Sequence, residues 1–229
     1  MPGEQFENDR HTAYEPFTPD ELLLFRGAGR VRTWERGDSL MREGGRPDHI
    51  VLILSGLAKV TAESDNGYTS VLALRGPGEL VGELSCLDGT ERSATVTALE
   101  HLSGVVVGSE AFQRLLEQHA TLTLAVLRSV VARLRDSDSL RTQQGARSSR
   151  SMLARVLLDT AVRHGVAVDE PAGALEVRMN QQELAGAAGV SRESVVRSLR
   201  AMHAAGLVTT RRGRTCVLDL TGVRRWAEE

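Results

Sequence analysis

Cysteine is scarce in this sequence: Cys86 and Cys216 are the only two in 229 residues, far apart and outside any CxxC spacing. That excludes a disulfide framework and a four-cysteine iron–sulfur cluster, and leaves each as a small buried thiol. Lysine is scarcer still. Lys59 stands alone against 27 arginines, which reads as a bias of coding composition. There is no apolar run of about 18 residues, so no membrane-spanning helix and no membrane partner is expected. The first ten residues, MPGEQFENDR, lack the basic and apolar parts of a secretion signal, and a cytoplasmic location is expected. The six histidines (His11, His49, His101, His119, His164 and His203) show no HxxxH or HxH spacing. With no metal cluster and no nucleophile–base pair in view, the chain does not read as an enzyme.

What is present suggests two domains of opposite charge. A hydrophobic content of 41% supports sizeable cores. The net charge of −2 conceals an asymmetry, because residues 1–120 hold 11 basic against 19 acidic side chains and residues 121–229 hold 17 against 11. A polyanion such as double-stranded DNA should therefore meet the second half.

The stretch MNQQELAGAAGVSRESVVRSLRAMHAAGLV, residues 179–208, carries the sharpest pattern. Asn180 can cap a helix whose Glu183 reaches back to the cap amide, Leu184 and Ala188 share a face, and Gly189 breaks the turn. Ser191 then caps a second helix. Val195, Leu199 and Met202 recur at helical spacing on its inner face, and Arg192, Glu193, Val196, Arg197 and Arg200 form the outer stripe. This predicts a helix-turn-helix with Gln182, Ser191, Arg192, Glu193 and Arg197 toward DNA, because an arginine fork fits guanine O6 and N7 and a glutamate can accept from cytosine N4. The following VTTRRGRTCVLDL alternates apolar and polar residues around Arg212-Gly213-Arg214. It predicts a two-stranded wing with a basic tip, Arg214 on phosphate. From Arg178 to Cys216 there are seven arginines and two carboxylates.

The first half reads as many short strands, rich in Val, Leu, Ile and Thr and broken by Gly, Asp or Pro about every ten residues, which is the pattern of a β-sandwich or roll. Unusual polar chemistry appears in it once. Residues 77–96, PGELVGELSCLDGTERSATV, set Gly82-Glu83-Leu84 before a short turn and Arg92-Ser93 at the start of an apolar strand.

A strand-rich roll, this cassette, a long helix and then QQELAGAAGVSRESVVRSL occur in an order that resembles the cyclic-AMP receptor/fumarate-nitrate regulator (Crp/Fnr) family of bacterial transcription factors, over about residues 18–220. The resemblance implies an α+β chain: residues 1–17 a flexible N-terminal segment, 18–120 a cyclic-nucleotide-binding-like β-roll, 121–147 a dimerisation helix and hinge, and 148–229 a winged helix-turn-helix. It implies cyclic AMP as the effector, with Glu83 accepting from the ribose 2′-hydroxyl, Arg92 and Ser93 on the cyclic phosphate, and Gly82 and Leu84 allowing close backbone approach. Ser137 and Asp138 fall where residues of cyclic-AMP binders touch adenine, although an aspartate there departs from the family pattern. The alternative within the cassette is a structural Glu83–Arg92 ion pair. On the ligand reading, Arg92→Leu leaves the ligand-free fold nearly as stable as before.

The helix from Thr121 to about Leu140 has Leu124, Leu127, Val131 and Leu134 near a/d spacing. Packing onto its own roll and pairing in a homodimer both fit that seam, and the resemblance implies the dimer, reading a palindromic site. After Leu140, Gly145, Ser148, Ser149 and Ser151 predict an early break and a hinge. RNA polymerase is a partner if the protein activates. Two other readings of the same fold stay open: a redox or gas sensor, and a regulator with no effector.

Overall fold

The computed structural model describes residues 16–63, 69–143, 148–168, 171, 173–211 and 213–229, with the side chains of 136–143 also outside the description. Helix α1, Pro19–Ala28, starts at a full capping box: Thr18 accepts from the Glu21 amide, and the Glu21 side chain accepts from the Thr18 amide at 2.8 Å. Phe17 lies just before it and packs edge-on against Phe25 with ring centroids 5.3 Å apart. The sequence reading had placed Phe17 in a flexible segment. Burial of its ring ties the chain down from that point on.

Eight strands then build the roll: β1 Arg30–Trp34, β2 Ser39–Met41, β3 His49–Ser55, β4 Ala58–Glu63, β5 Thr69–Arg75, β6 Leu80–Val81, β7 Thr95–Ala98 and β8 Leu102–Gly108. They form two antiparallel sheets, ordered β1-β8-β3-β6 and β2-β7-β4-β5. Strand β3 explains its own unbroken apolar run. Val51 and Ile53 face the core between the sheets with Trp34, Val96 and Leu102, whereas Ile50 and Leu52 face the opposite side beneath helices. A strand covered on both faces has no polar alternation to show.

Those covering helices are α1, α3 (Ser109–Gln118) and the start of α4 (Ala120–Gln143), which add Phe25, Phe112, Leu115, Leu122, Ala125 and Val126 to the outer core. Helix α2, Glu83–Asp88, interrupts the roll between β6 and β7. Sequence periodicity did not reveal α1, α2 or α3, since the first two are short or weakly amphipathic and all three lie among strand signals. Helix α4 runs to Gln143, and the expected break at Gly145 lies outside the described residues.

The C-terminal unit has α5 (Ser149–His164), β9 (Val166–Ala167), β10 (Leu175–Val177), α6 (Gln181–Ala188), α7 (Arg192–Ala204), β11 (Val208–Arg211), β12 (Arg214–Val217) and α8 (Leu220–Glu228). Its sheet is ordered β11-β12-β10-β9, and Leu153, Leu157, Leu184, Val195, Leu199, Met202 and Val223 fill one core. No helix among the described residues is long and apolar enough to cross a membrane.

Candidate effector pocket and nucleic-acid interface

The helix-turn-helix forms through the predicted local devices. Asn180 accepts from the Gln182 and Glu183 amides at 2.9 and 3.0 Å, Glu183 returns a bond to the Asn180 amide, and Gly189 ends α6 at φ +63°. Ser191 caps α7 by accepting from the Ser194 amide at 3.2 Å. Val195, Leu199 and Met202 are buried, which turns Arg192, Glu193, Arg197 and Arg200 outward, exposed, with Gln182 exposed at the head of α6. Arg197 rests on the Ser194 hydroxyl at 2.9 Å. The Glu193 carboxyl is held below its usual range by bonds from its own backbone and from Ser191 at the helix start, so it stays an acceptor.

The wing is the β11–β12 hairpin, turned by Gly213 at φ +72°; Arg212 lies outside the described residues. Arg214 donates to both Glu176 oxygens at 3.1 and 3.3 Å. Glu176 also accepts from Arg178 at 3.0 Å, and although burial pushes its carboxyl up, the two arginines outweigh that and lower it. A phosphate that takes Arg214 must therefore compete with Glu176.

The cassette folds as a helix cap. Leu80-Val81 end the strand, and Gly82 turns the chain at φ +84°, so that Glu83 opens α2. A side chain at position 82 would collide with Arg92 Nη1 and the Met41 thioether, each within 2.9 Å. The glycine thus makes room for Arg92 as well as for the turn. The Arg92 guanidinium is 4% exposed, and donates to Gly82 O at 2.7 Å, His49 O at 2.5 Å, Ser85 Oγ at 3.4 Å and Asp48 Oδ1 at 3.3 Å. Burial pushes the Asp48 carboxyl up, but bonds from His49 and Arg92 prevail and lower it.

Glu83 does not pair with Arg92, contrary to the structural-pair alternative. Its Oε1 accepts from Arg133 Nη2 at 2.5 Å, across from α4. The reason is geometric. Glu83 begins a helix that meets α4, whereas Arg92 reaches under the loop toward β3. Two buried polar atoms remain without partners here, Glu83 Oε2 and Arg92 Nε. Unmet buried polar atoms are costly, and a ribose hydroxyl on Glu83 together with a phosphate oxygen on Arg92 Nε would satisfy both, so the residues fit a cyclic nucleotide.

Both line one cavity of about 470 Å³, together with Gly82, Leu84 and Ser93. Ser93 and Leu84 are exposed. The Ser137 and Asp138 side chains lie outside the described residues. One wall was not anticipated from sequence: Arg155, Val156, Thr160 and His164 of α5 face the same cavity from the C-terminal unit. His164 is driven down to about 4 by burial, and packs against Gly76, where an added Cβ would stand 2.7 Å from its Nδ1. No pattern on α5 announced this role, since the face that meets the cavity follows only from how the two units dock.

Cys86 is buried behind Arg92, pointing its thiol at Pro47 O and His49 O. Cys216 is only partly buried, so the expectation of a buried thiol fails there: it sits on the wing sheet, which is open on that side. Among the described residues no group of three or more His, Cys, Asp or Glu side chains is placed to hold a metal ion.

Comparison with known proteins matches residues 31–119 to the cyclic nucleotide-binding domain and residues 152–226 to the Crp-like helix-turn-helix domain. The Cyclic AMP receptor protein of Thermus thermophilus is 29% identical over 195 residues, covering 85% of this chain and 87% of its own. The CRP-like cAMP-activated global transcriptional regulator of Mycobacterium tuberculosis is 28% identical over 166 residues, 72% of this chain and 73% of its own. Among solved structures, the c-di-GMP responsive global regulator CLP of Xanthomonas campestris superposes with a TM-score of 0.74 at 24% identity, over 88% of this chain and all of that one, a likeness of fold. With a cyclic nucleotide-binding roll followed by a Crp-like helix-turn-helix, the chain belongs to the Crp/Fnr family of DNA-binding transcription regulators.

Proposed function

We propose that this regulator acts in the cytoplasm as a homodimer on a palindromic promoter site, and that a cyclic nucleotide bound in the roll controls its grip on DNA. The observation that carries the effector is the pair of orphaned buried atoms, Glu83 Oε2 and Arg92 Nε, on one cavity. Relatives described as cyclic-AMP receptors and a structural neighbour described as c-di-GMP responsive support the same ligand class, with cyclic AMP as the first probe. Glu83 then binds the ribose, Arg92 and Ser93 the phosphate, and Gly82 keeps Arg92 in place. Gln182, Ser191, Arg192, Glu193 and Arg197 meet the major groove and Arg214 a phosphate.

The dimer is supported by the outer face of α4. Leu122, Ala125 and Val126 pack on the roll, while Leu124, Leu127 and Leu134 stand 50%, 55% and 59% exposed in the single chain. A leucine seam of that spacing is what a second copy of the helix covers. Two reading helices one turn of DNA apart then match a palindrome.

A second reading draws on the Glu83–Arg133 bond, which already neutralises the cassette carboxylate without a ligand. On that reading the regulator needs no effector. Calorimetric titration of the full chain with cyclic AMP and cyclic GMP, with and without operator DNA, separates the two. Saturable binding that strengthens the DNA complex supports the effector reading. No heat at millimolar nucleotide, with tight operator binding throughout, supports the second.

A further inference from the structure

Four side chains of alternating charge run from the roll to the wing. Glu100, in the turn between β7 and β8, accepts from Arg178 Nη1, and Arg178 Nε donates to Glu176 Oε1 on β10 at 3.0 Å. Arg214 Nη1, on β12, donates to both Glu176 oxygens at 3.1 and 3.3 Å. Glu176 is thus shared by two arginines, and Arg178 by two carboxylates. Both carboxylates hold the Arg178 guanidinium above its usual range, Glu100 more strongly than Glu176. A carboxylate whose first cation is divided in this way leans more on its second, so Glu100 tightens the hold of Glu176 on Arg214. Arg214 is half-exposed and lines a cleft of about 430 Å³ with Gln182 at the head of α6 and Arg192 at the head of α7, whereas the Glu176 side chain is mostly covered. A DNA phosphate in that cleft and the Glu176 carboxylate compete for the same guanidinium.

We propose that Glu176 is an internal stand-in for a DNA phosphate on the wing arginine, and that Glu100 of the roll, by way of Arg178, sets how firmly it holds that place; the inference rests on the reading of Arg214 as a phosphate contact. With the two domains docked, Arg178 is divided and Arg214 is retained. When they part, Arg178 loses Glu100 and gives its whole charge to Glu176, and Arg214 is released to the DNA backbone. The coupling is reciprocal. A phosphate that draws Arg214 away leaves Glu176 to Arg178, which loosens the bond to Glu100 and with it the docking. No nucleotide takes part in these contacts, so the relay operates under either reading of the effector.

The test titrates full-length wild type, Glu100→Gln, Glu176→Gln, Arg214→Ala and each glutamine variant combined with Arg214→Ala against a DNA duplex of random sequence. No nucleotide is added, salt is varied, and melting temperatures are recorded alongside. Random DNA is the right probe because a phosphate contact is blind to sequence. Glu100→Gln and Glu176→Gln should each bind about two- to fivefold tighter than wild type, the worth of one partly exposed charge pair. The salt slope of Glu176→Gln should steepen, by no more than about one. Both gains should vanish in the Arg214→Ala background. A gain that persists there overturns the inference, since it marks plain removal of negative charge near DNA. Unchanged or weaker binding by Glu176→Gln at an unaltered melting temperature also overturns it, because Glu176 then does not withhold Arg214. Glu100 stands on the roll, away from the winged-helix core, so Glu100→Gln decides the matter in the same two ways if Glu176→Gln melts early. Arg214→Ala that binds random DNA like wild type removes the phosphate reading of the wing, and this inference with it, while the helix-turn-helix assignment stands.

Discussion

Glu83 is 2% exposed and neutralised through one oxygen by Arg133, whose side chain is itself mostly covered. Removing Arg133 alone strands a buried carboxylate, so Arg133→Leu should destabilise the ligand-free protein by about 3–5 kcal/mol in chemical denaturation. Adding Glu83→Gln to that variant should recover most of the loss; if the double variant is no better than the single one, the pair is not what the charge depends on. Arg92 differs, because its four bonds hold the Gly82 turn onto β3. The expectation that Arg92→Leu spares the ligand-free fold therefore does not survive, since that change removes the guanidinium donors from the Gly82 and His49 carbonyls. In the groove, Arg192→Ala should cost about 1–3 kcal/mol of discrimination at one guanine per half-site, whereas Arg214→Ala should weaken all sequences alike and reduce the salt slope by about one. Binding titrations on operator and random DNA at several salt concentrations measure both, and unchanged preference in Arg192→Ala would show that α7 is not the reading helix.

At the scale of elements, α4 has two faces of different fate. One is inserted into the roll by Leu122 and Val126, and the other carries Leu124, Leu127 and Leu134 outward. Leu127→Asp should leave the roll folded, because that side chain touches none of its core, but should put a charge into the seam of a dimer. Sedimentation should then show a folded monomer with weakened operator affinity. A dimer as tight as wild type would place the interface elsewhere. Helices α6 and α7 were legible because their caps, turn and apolar spacing are local. Helix α2 was not, since its six residues are positioned by Gly82 and by packing on β3 rather than by their own periodicity.

Across the whole molecule, the two domains meet along a seam of specific contacts. Lys59 of β4 bonds Glu183 of α6 at 3.0 Å, Arg178 bonds Glu100, and Gly186 lies on Val71. His164 sits in that seam over Gly76, and Arg75, Glu79, Asp159 and Arg163 are the charged groups that act on it. Burial lowers its folded pKa from 6.5 to about 4, so the unfolded chain binds the extra proton between those values. The stabilisation is complete above about pH 6.5 and is lost as pH falls toward 4, to the extent of about 3 kcal/mol. Denaturation of wild type and His164→Gln at pH 7 and pH 4.5 should show a clearly smaller pH loss in the variant. Equal losses would mean that other groups, such as the carboxylates, account for the acid sensitivity.

The sequence by itself determined the elements whose causes lie within a few residues: the capping box at Asn180, the turns at Gly189 and Gly213, the inner stripe of α7, and the leucine seam of α4. Only the tertiary structure decided partners. That Glu83 meets Arg133 and not Arg92 depends on how α4 packs against α2, and that the lone lysine joins β4 to α6 depends on how the roll and the winged helix dock. An ion pair or a cavity wall needs only proximity in space, and residues such as Lys59 and Glu183, 124 positions apart, leave no periodicity along the chain to announce it.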